Sequence, residues 1–266
     1  MNELVKIVLL FTISVILSSC IFDDEEEKWD AAKVCPETGT NAYGMPNRGT
    51  FTDERDGHVY RYTTIGNQVW MAENLRYKLP YPYSYAPGED YFYVDEQKKD
   101  TVYRHDTTGL GEIGITMQSK CADADCIAAE FVKTFGRYYS LTVNAGRHGP
   151  LDWDIVDSVC PKGWHVPTRT EWEKLYADVD ESVNQLVDWT PRFNTEKNEC
   201  KISFVLAGSY TPKRLAPDDV FFDGLYWSST QCNSEYACVV IPKEASIIGK
   251  AFPEQVYMIS LRCIKD

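Results

Sequence analysis

The sequence predicts a compact domain that combines helices with strands and is closed by disulfides. A helix is indicated within residues 160–175, where an extended, turn-rich lead opens into a capped segment with one apolar face. Strands are indicated on both sides of Gly66-Asn67 and again between residues 201 and 264. The chain also holds nine cysteines, which is many for a cytosolic protein and favours an oxidising compartment.

Length and charge limit the classes of protein to which the chain can belong. Its 266 residues begin with a stretch that does not look globular, and we assign residues 50–266 to a single domain. The formal net charge of -13 argues against nucleic acid as a partner, because phosphates are bound by clustered Lys and Arg. The simplest interpretation of this charge is solubility.

The N-terminus has the pattern of a lipoprotein signal peptide. Lys6 precedes an apolar run at residues 7–17, and Leu17-Ser18-Ser19-Cys20 resembles the bacterial lipobox. We expect residues 1–19 to be removed and Cys20 to be lipidated, so that the protein is anchored in the outer membrane through lipid.

Residues 20–49 are predicted to form an acidic tether, although Cys35 implies that part of this segment is pinned to the domain. Five consecutive acidic residues at 23–27 cannot pack and favour an extended, solvated chain. Such a run resembles the surface-export signal of bacterial surface lipoproteins, but a plain spacer explains it equally well. The sequence therefore leaves open whether the domain faces the periplasm or the cell exterior.

The helix that follows residue 167 is predicted by its cap. Thr168 can cap its first turn, and Glu171, three residues later, completes a capping box. Trp172, Leu175 and Tyr176 recur at the spacing of one buried face. We expect a second short helix within residues 181–188, and strands within 201–207, 224–230, 236–241 and 256–264.

Three separated motifs resemble one known family. The β-rich runs 58–64 and 68–73 flank Gly66-Asn67 and predict a hairpin, and this hairpin leads into I-G-N-Q-V-W-M-A-E-N-L at residues 65–75. C-P-x-G-W-H-x-P-x-x-x-E-W follows at 160–172 and Y-W-S-S-T at 226–230. Together with G-R-x-Y at 136–139 and the closing S-L-R-C-I-K-D, they resemble the Fibrobacter succinogenes major paralogous domain from about residue 51 to residue 266.

This resemblance implies a fold. Members of the family look related to the C-type-lectin-like superfamily, whose α+β fold has two helices, mixed and mostly antiparallel sheets, long loops and termini that lie together. The superfamily also includes the sulfatase-modifying enzymes, which carry a similar L-P-T-x-x-E-W-E helix.

The cysteines other than Cys20 form an even set, as a disulfide framework requires. Eight cysteines allow on the order of a hundred connectivities, so sequence alone does not settle the pairing. We expect Cys160 to bond Cys263 and so to join the lead of the capped helix to the last strand. A local disulfide in KCADADC is favoured over a metal site that would use its two aspartates. The expected further pairs are Cys121 with Cys126, Cys232 with Cys238 and, by elimination, Cys35 with Cys200.

A segment rich in Tyr and Pro at residues 77–93 is the candidate ligand-binding loop. Its composition suits an ordered loop, and tyrosine serves both packing and wet binding surfaces. The candidate ligand-binding residues are Tyr81, Tyr83, Tyr85, Tyr91 and Tyr93. Trp70, Trp164 and Trp227 are expected in the core instead.

The sequence departs from the relatives that use metal or covalent chemistry. It lacks the E-P-N or Q-P-D triplet and the later W-N-D of calcium-dependent lectins, so a calcium-bridged sugar is not implied. If most cysteines are structural, it also lacks the reactive cysteine pair of the sulfatase-modifying enzymes. His165 invites a catalytic interpretation, but a structural histidine beside Trp164 is better supported. We therefore expect no metal, no cofactor and no catalysis.

The resulting functional hypothesis is a lipid-anchored binding module that faces the periplasm or the cell exterior and holds polysaccharide or a surface partner, as in adhesion. One alternative is a structural or assembly protein that binds other surface proteins. An enzyme related to the sulfatase-modifying proteins is the second alternative.

Overall fold

The computed structural model of the protein describes residues 29–87, 89–95, 100–105, 121–142, 150–180, 186–188, 198–211, 216–218, 224–232, 237–241, 246–248 and 258–266. The compact unit spans Ala31–Asp266. Its architecture is α+β, with sheets that are largely antiparallel and with disulfides, as predicted.

The described chain contains four helices and many short strands. The helices are α1 (Ala31–Val34), α2 (Ala124–Phe135), α3 (Trp153–Val159) and α4 (Arg169–Asp178). The first eight strands are β1 (Arg48–Thr52), β2 (Val59–Ile65), β3 (Gln68–Met71), β4 (Ser84–Tyr85), β5 (Asp90–Asp95), β6 (Asp100–His105), β7 (Tyr138–Tyr139) and β8 (Trp164–His165). They are followed by β9 (Val187–Asp188), β10 (Phe204–Val205), β11 (Ser209–Thr211), β12 (Ala216–Asp218), β13 (Tyr226–Gln231), β14 (Ala237–Ile241), β15 (Ser246–Ile248), β16 (Met258–Ser260) and β17 (Ile264–Lys265).

One antiparallel sheet brings the two ends of the domain together. Its strand order is β1-β2-β3-β17-β8, so the last strand lies between the first hairpin and the lead of α4. Ile264 is opposite Trp70 on one side and His165 on the other. The β2–β3 hairpin turns at Gly66-Asn67 as predicted, and Gly66 has a positive φ of 57°, which glycine adopts without steric cost.

A second sheet is built around β16. The strands follow the order β12-β11-β16-β13-β14-β15, and β7 joins β16 to β4. The β13–β16 pair is parallel and the other pairs are antiparallel. Two small sheets complete the described strands, the β5–β6 hairpin and the parallel β9–β10 pair.

Aromatic side chains pack against the buried faces of α2 and α4. Trp70, Trp164 and Trp227 are buried, as predicted from the sequence. Trp70 packs against Trp172 of α4, with ring centroids 4.8 Å apart. A second cluster contains the buried rings of Phe131, Phe135, Tyr85, Tyr138 and Tyr210.

The predicted capping box is present at the start of α4. Thr168 Oγ1 accepts the Glu171 N–H, and Glu171 Oε2 accepts the Thr168 N–H across 2.7 Å. This arrangement satisfies backbone donors that a helix end leaves unpaired. Trp172, Leu175 and Tyr176 form the buried face of α4.

The chain from residue 31 onwards belongs to the compact unit. Cys35 is bonded to Cys200, and Arg48 Nη2 donates to the carbonyl oxygens of Cys35 and Glu199. Gly66 N–H also donates to the Val34 carbonyl across 2.7 Å. Of the expected tether, residues 20–28 lie outside the described residues, as does the signal peptide with Cys20.

Several predicted elements differ in extent. The strand expected over 256–264 is two short strands, β16 and β17, separated at Leu261, Arg262 and Cys263. Residues 204–205 of the expected 201–207 strand pair in a sheet, and the positive φ of Lys201 and Ser203 prevents the strand from extending before them. Of the second helix expected within 181–188, residues 187–188 form β9, and 181–185 lie outside the described residues.

The buried Arg262 connects the last strand region to the first motif. Its guanidinium donates to Asn74 Oδ1 and to the carbonyl oxygens of Ile202 and Ser203, and it lies 4.3 Å from the ring centroid of Phe204.

Among the described residues, no helix is both long and apolar enough to cross a bilayer.

Candidate functional site

A cleft of about 700 Å³ is formed by one face of α2 and by the chain that follows β3. The helix contributes Asp125, Ala128, Ala129, Val132 and Lys133. The other described lining residues are His58, Arg76, Lys78, Glu89 and Arg137. These residues give the cleft a polar, charged wall and a small apolar patch.

The sequence of α2 explains why one face is available to the cleft. Asp123 caps the helix by accepting the Cys126 N–H across 2.9 Å, and Cys126 is also bonded to Cys121. Ile127, Phe131 and Phe135 recur every four residues and are buried. The opposite face carries the residues that line the cleft.

The chain opposite α2 is held by backbone and tyrosine contacts. Leu75 N–H donates to the Leu261 carbonyl across 2.8 Å, and Arg76 N–H donates to the Tyr60 hydroxyl across 2.9 Å. Ser84 Oγ donates to the carbonyl of Leu79 and accepts its N–H, each across 2.8 Å. These contacts fix the start of the loop that carries Lys78 and Glu89.

Glu89 is the most heavily bonded carboxylate of the cleft. Arg137 forms a bidentate pair with it, with Nη1–Oε2 of 2.8 Å and Nη2–Oε1 of 2.6 Å. Lys78 Nζ donates to Oε1 across 2.8 Å, and Ala86 N–H donates to Oε2 across 3.2 Å. Burial by itself would raise the pKa of Glu89, but Arg137 and Lys78 outweigh it and hold the pKa below its ordinary value.

A second carboxylate, Glu73, lies beside the cleft between two arginines. Arg61 Nε donates to its Oε1 and Arg76 Nη2 to its Oε2, each across 2.6 Å. Arg61, Glu73, Arg76 and Lys133 also line an adjoining depression of about 90 Å³. The cleft and the depression thus share Arg76 and Lys133 in their linings.

The structure separates the five candidate tyrosines. Tyr85 is buried and stacks on Tyr210 with ring centroids 4.2 Å apart, so it belongs to the core and not to a binding surface. Tyr81 and Tyr83 are half-buried, and Tyr81 packs against the core cluster that contains Tyr85 and Tyr210. Tyr91 and Tyr93 lie on β5, but their side chains are outside the described part of the structure. The described lining of the cleft includes none of the five.

His165 lies between two carboxylates. Its Nε2 is 2.9 Å from Glu171 Oε1, and its Nδ1 is 2.8 Å from Asp266 Oδ1. The hydrogen bond with Glu171 raises the pKa of His165; burial opposes this increase and Asp266 adds to it. The histidine thus connects the capped end of α4 to the residue that follows β17, which supports the structural interpretation of this side chain.

The remaining predicted site residues are cysteines. Three of the expected disulfides are present: Cys35 with Cys200, Cys121 with Cys126 and Cys160 with Cys263. Cys232 is disulfide-bonded, whereas Cys238 lies on β14 with its side chain outside the described residues. Within the same described ranges, no group of three or more His, Cys, Asp or Glu residues is placed to hold a metal ion.

Sequence reasoning missed the charged residues of the cleft. Glu89 and Arg137 are far apart in sequence, and no local pattern connects them. A signal for α2 was present, because Asp123 precedes a run in which Ile127, Phe131 and Phe135 have helical spacing.

The fold and the cleft together define a disulfide-bonded α+β domain with an open, charged cleft. A family model described as Fibrobacter succinogenes major domain matches residues 63–265. The chain therefore belongs to this family. Comparison with curated proteins and with solved structures found no match.

Proposed function

We propose that this protein is a non-catalytic, lipid-anchored module that binds polysaccharide in the cleft between α2 and the chain after β3. The observation that carries the proposal is the composition of the cleft wall. It combines hydrogen-bonding charged groups with small apolar side chains in one opening of about 700 Å³.

This composition suits a sugar polymer. Arg76 and Lys78 present N–H donors, which can pair with hydroxyl and ring oxygens. Ala128 and Ala129 have short side chains, so the C–H face of a sugar ring can approach the helix closely. Most binding sites combine an apolar surface with a few polar groups in this way.

The elements around the cleft support a preformed site. The outer face of α2 is backed by the buried side chains of Ile127, Phe131 and Phe135. Arg137 N–H donates to the Leu75 carbonyl across 3.0 Å, which fixes the residue at the end of α2 against the facing chain. A preformed site reduces the entropy that a bound ligand costs.

The position on the membrane is part of the proposal. Lipidation of Cys20 would anchor the chain in the outer membrane, and the acidic run at 23–27 would hold the domain away from it. The C-type-lectin-like fold is proposed as well, with support from the antiparallel sheet in which β17 lies between β3 and β8.

The test uses the full-length protein, purified in detergent, on an array of bacterial and plant polysaccharides. Ala129→Trp should abolish binding because Ala129 is exposed and lines the cleft. Ala177→Trp is the matched control, since Ala177 is also an exposed alanine on a helix, in α4. Circular dichroism would verify that both variants remain folded.

Two outcomes would contradict the proposal. The first is an array with no signal above background. The second is a protein partner, found by cross-linking in intact cells, that stays bound in excess soluble glycan and is lost in Ala129→Trp; that result would favour the assembly role instead.

A further inference from the structure

We propose that the cleft selects a polyanionic glycan, one that carries carboxylates or sulfates, over a neutral glycan. This inference rests on the proposed function and specifies its ligand class. It comes from the way in which the charges of the cleft are paired and exposed.

The cleft differs in charge from the rest of the chain. Its described lining contains four Lys or Arg residues and two acidic residues, whereas the whole chain has 27 basic and 40 acidic residues. A local positive field in an acidic protein attracts anions to that place, while the remaining surface repels them. The charge of the lining thus favours selective binding of an anion over general adhesion.

Both oxygens of Glu89 and of Glu73 already accept hydrogen bonds from protein donors. Glu89 accepts hydrogen bonds from Arg137, Lys78 and the Ala86 N–H, and both of its oxygens are used. Glu73 uses one oxygen for Arg61 and the other for Arg76. Their side chains are only 16% and 13% exposed, so they present little negative charge to solvent.

Three of the cations are much more exposed than these carboxylates. The side chains of Arg61, Lys78 and Lys133 are 61%, 65% and 70% exposed. A lysine ammonium has three donors, and among the described residues Lys78 donates one hydrogen bond, to Glu89. An incoming anion therefore meets ammonium and guanidinium groups first.

The acidic side chains near Lys133 do not cancel this field. Glu130 is 3.3 Å from Lys133 Nζ, but such exposed helix pairs contribute only about 0.3–0.5 kcal/mol and are readily replaced. Asp125 is exposed in the first turn of α2, where the helix N-terminus partly offsets its charge. Lys133 is thus available to a ligand anion.

The cations also continue beyond the cleft. Arg76 and Lys133 line both the cleft and the adjoining depression, whereas Arg61 belongs to the described lining of the depression and not to that of the cleft. A polymer with repeated negative charges can contact both places at once, which multiplies the effect of each weak contact.

The experiment measures affinity of the full-length protein in detergent for polygalacturonate, heparin and dextran chains of matched length. Polygalacturonate supplies carboxylates, heparin supplies mainly sulfates, and dextran is neutral. Binding of at least one polyanion should exceed that of dextran and should weaken between about 50 mM and about 500 mM NaCl, because salt screens exposed charges.

Two double variants test whether polyanions bind in the cleft. Lys78→Gln with Lys133→Gln should weaken polyanion binding about tenfold, the cost of losing two charge contacts in one site. Arg169→Gln with Lys174→Gln is the matched control, because both residues are partly exposed and form ion pairs on α4. The control should bind polyanions as the unmodified protein does.

The outcomes separate this inference from the proposed function. Dextran binding that equals or exceeds polyanion binding, and that Ala129→Trp abolishes, would overturn charge selection and leave the polysaccharide-binding role in place. Equal loss in the two double variants would place polyanion binding outside the cleft and would also overturn the inference. If none of the three polymers or the array glycans binds, both proposals fail.

Discussion

Arg262 donates through Nε to Asn74 Oδ1 across 3.1 Å, and this contact joins two distant motifs inside the core. Asn74 in turn donates through Nδ2 to the Phe135 carbonyl across 2.9 Å, at the end of α2. The side chains of Arg262 and Asn74 therefore connect the last strand region to the first hairpin and to the helix that lines the cleft.

Replacement of this buried arginine should strongly destabilise the domain. Arg262→Met leaves Asn74 Oδ1 and the carbonyl oxygens of Ile202 and Ser203 without these donors, and we expect the free energy of unfolding to fall by about 3 kcal/mol or more. Arg262→Lys should cost less because one ammonium keeps the charge. Urea unfolding measures both, and a Met variant as stable as the unmodified protein would contradict this role.

Gly136 should not tolerate a side chain. Its φ is +76°, and a Cβ there would lie 2.6 Å from Asn74 Cβ and 2.9 Å from the Leu75 carbonyl oxygen. Gly136→Ala should lower the free energy of unfolding by about 3 kcal/mol, since backbone strain and a clash add together. Thermal or urea unfolding would measure the loss.

The control for this variant is Gly44→Ala. Gly44 has a similar φ of +72°, but a Cβ there would meet nothing within 4 Å. Its cost should be limited to the strained φ, about 1–2 kcal/mol. Equal losses in the two variants would mean that the close approach of Gly136 to Asn74 and Leu75 is unimportant.

His165 should make stability depend on pH in a defined direction. Its pKa in the folded protein is raised above the ordinary 6.5 by Glu171 and Asp266, with burial opposing. The stabilisation is thus fully present below about pH 6.5 and is lost as the pH rises through the folded pKa. The loss of melting temperature in His165→Gln should be larger near pH 6 than near pH 9.

A second variant tests the assignment of the partners. Asp266→Asn keeps Glu171 and should give the same trend with a smaller amplitude. A constant difference in melting temperature across this pH range would show that His165 contributes through packing and not through its charge.

The features predicted from sequence were local ones. Thr168 and Glu171 lie three residues apart, so one turn of helix carries the whole capping box. The hairpin at Gly66-Asn67 depends on a two-residue turn and its adjacent strands. In both cases the residues that form the structure are also neighbours in the chain.

The features that were missed depend on distant residues. Tyr85 looks like its neighbours in a tyrosine-rich loop, but it is buried in the cluster that contains Phe131 and stacks on Tyr210. The charge of the cleft depends on pairs such as Arg137 with Glu89, which are brought together by β4 and β7. Local patterns contain no information about such pairs.

The disulfides have a consequence for a nicked chain. The segment between Cys35 and Cys200 overlaps the segment between Cys160 and Cys263. One protease cut at any peptide bond from Cys35 to Cys263 therefore leaves both fragments covalently attached to each other. A nicked molecule would run as a single species on a non-reducing gel and would separate into fragments only after a thiol reagent is added.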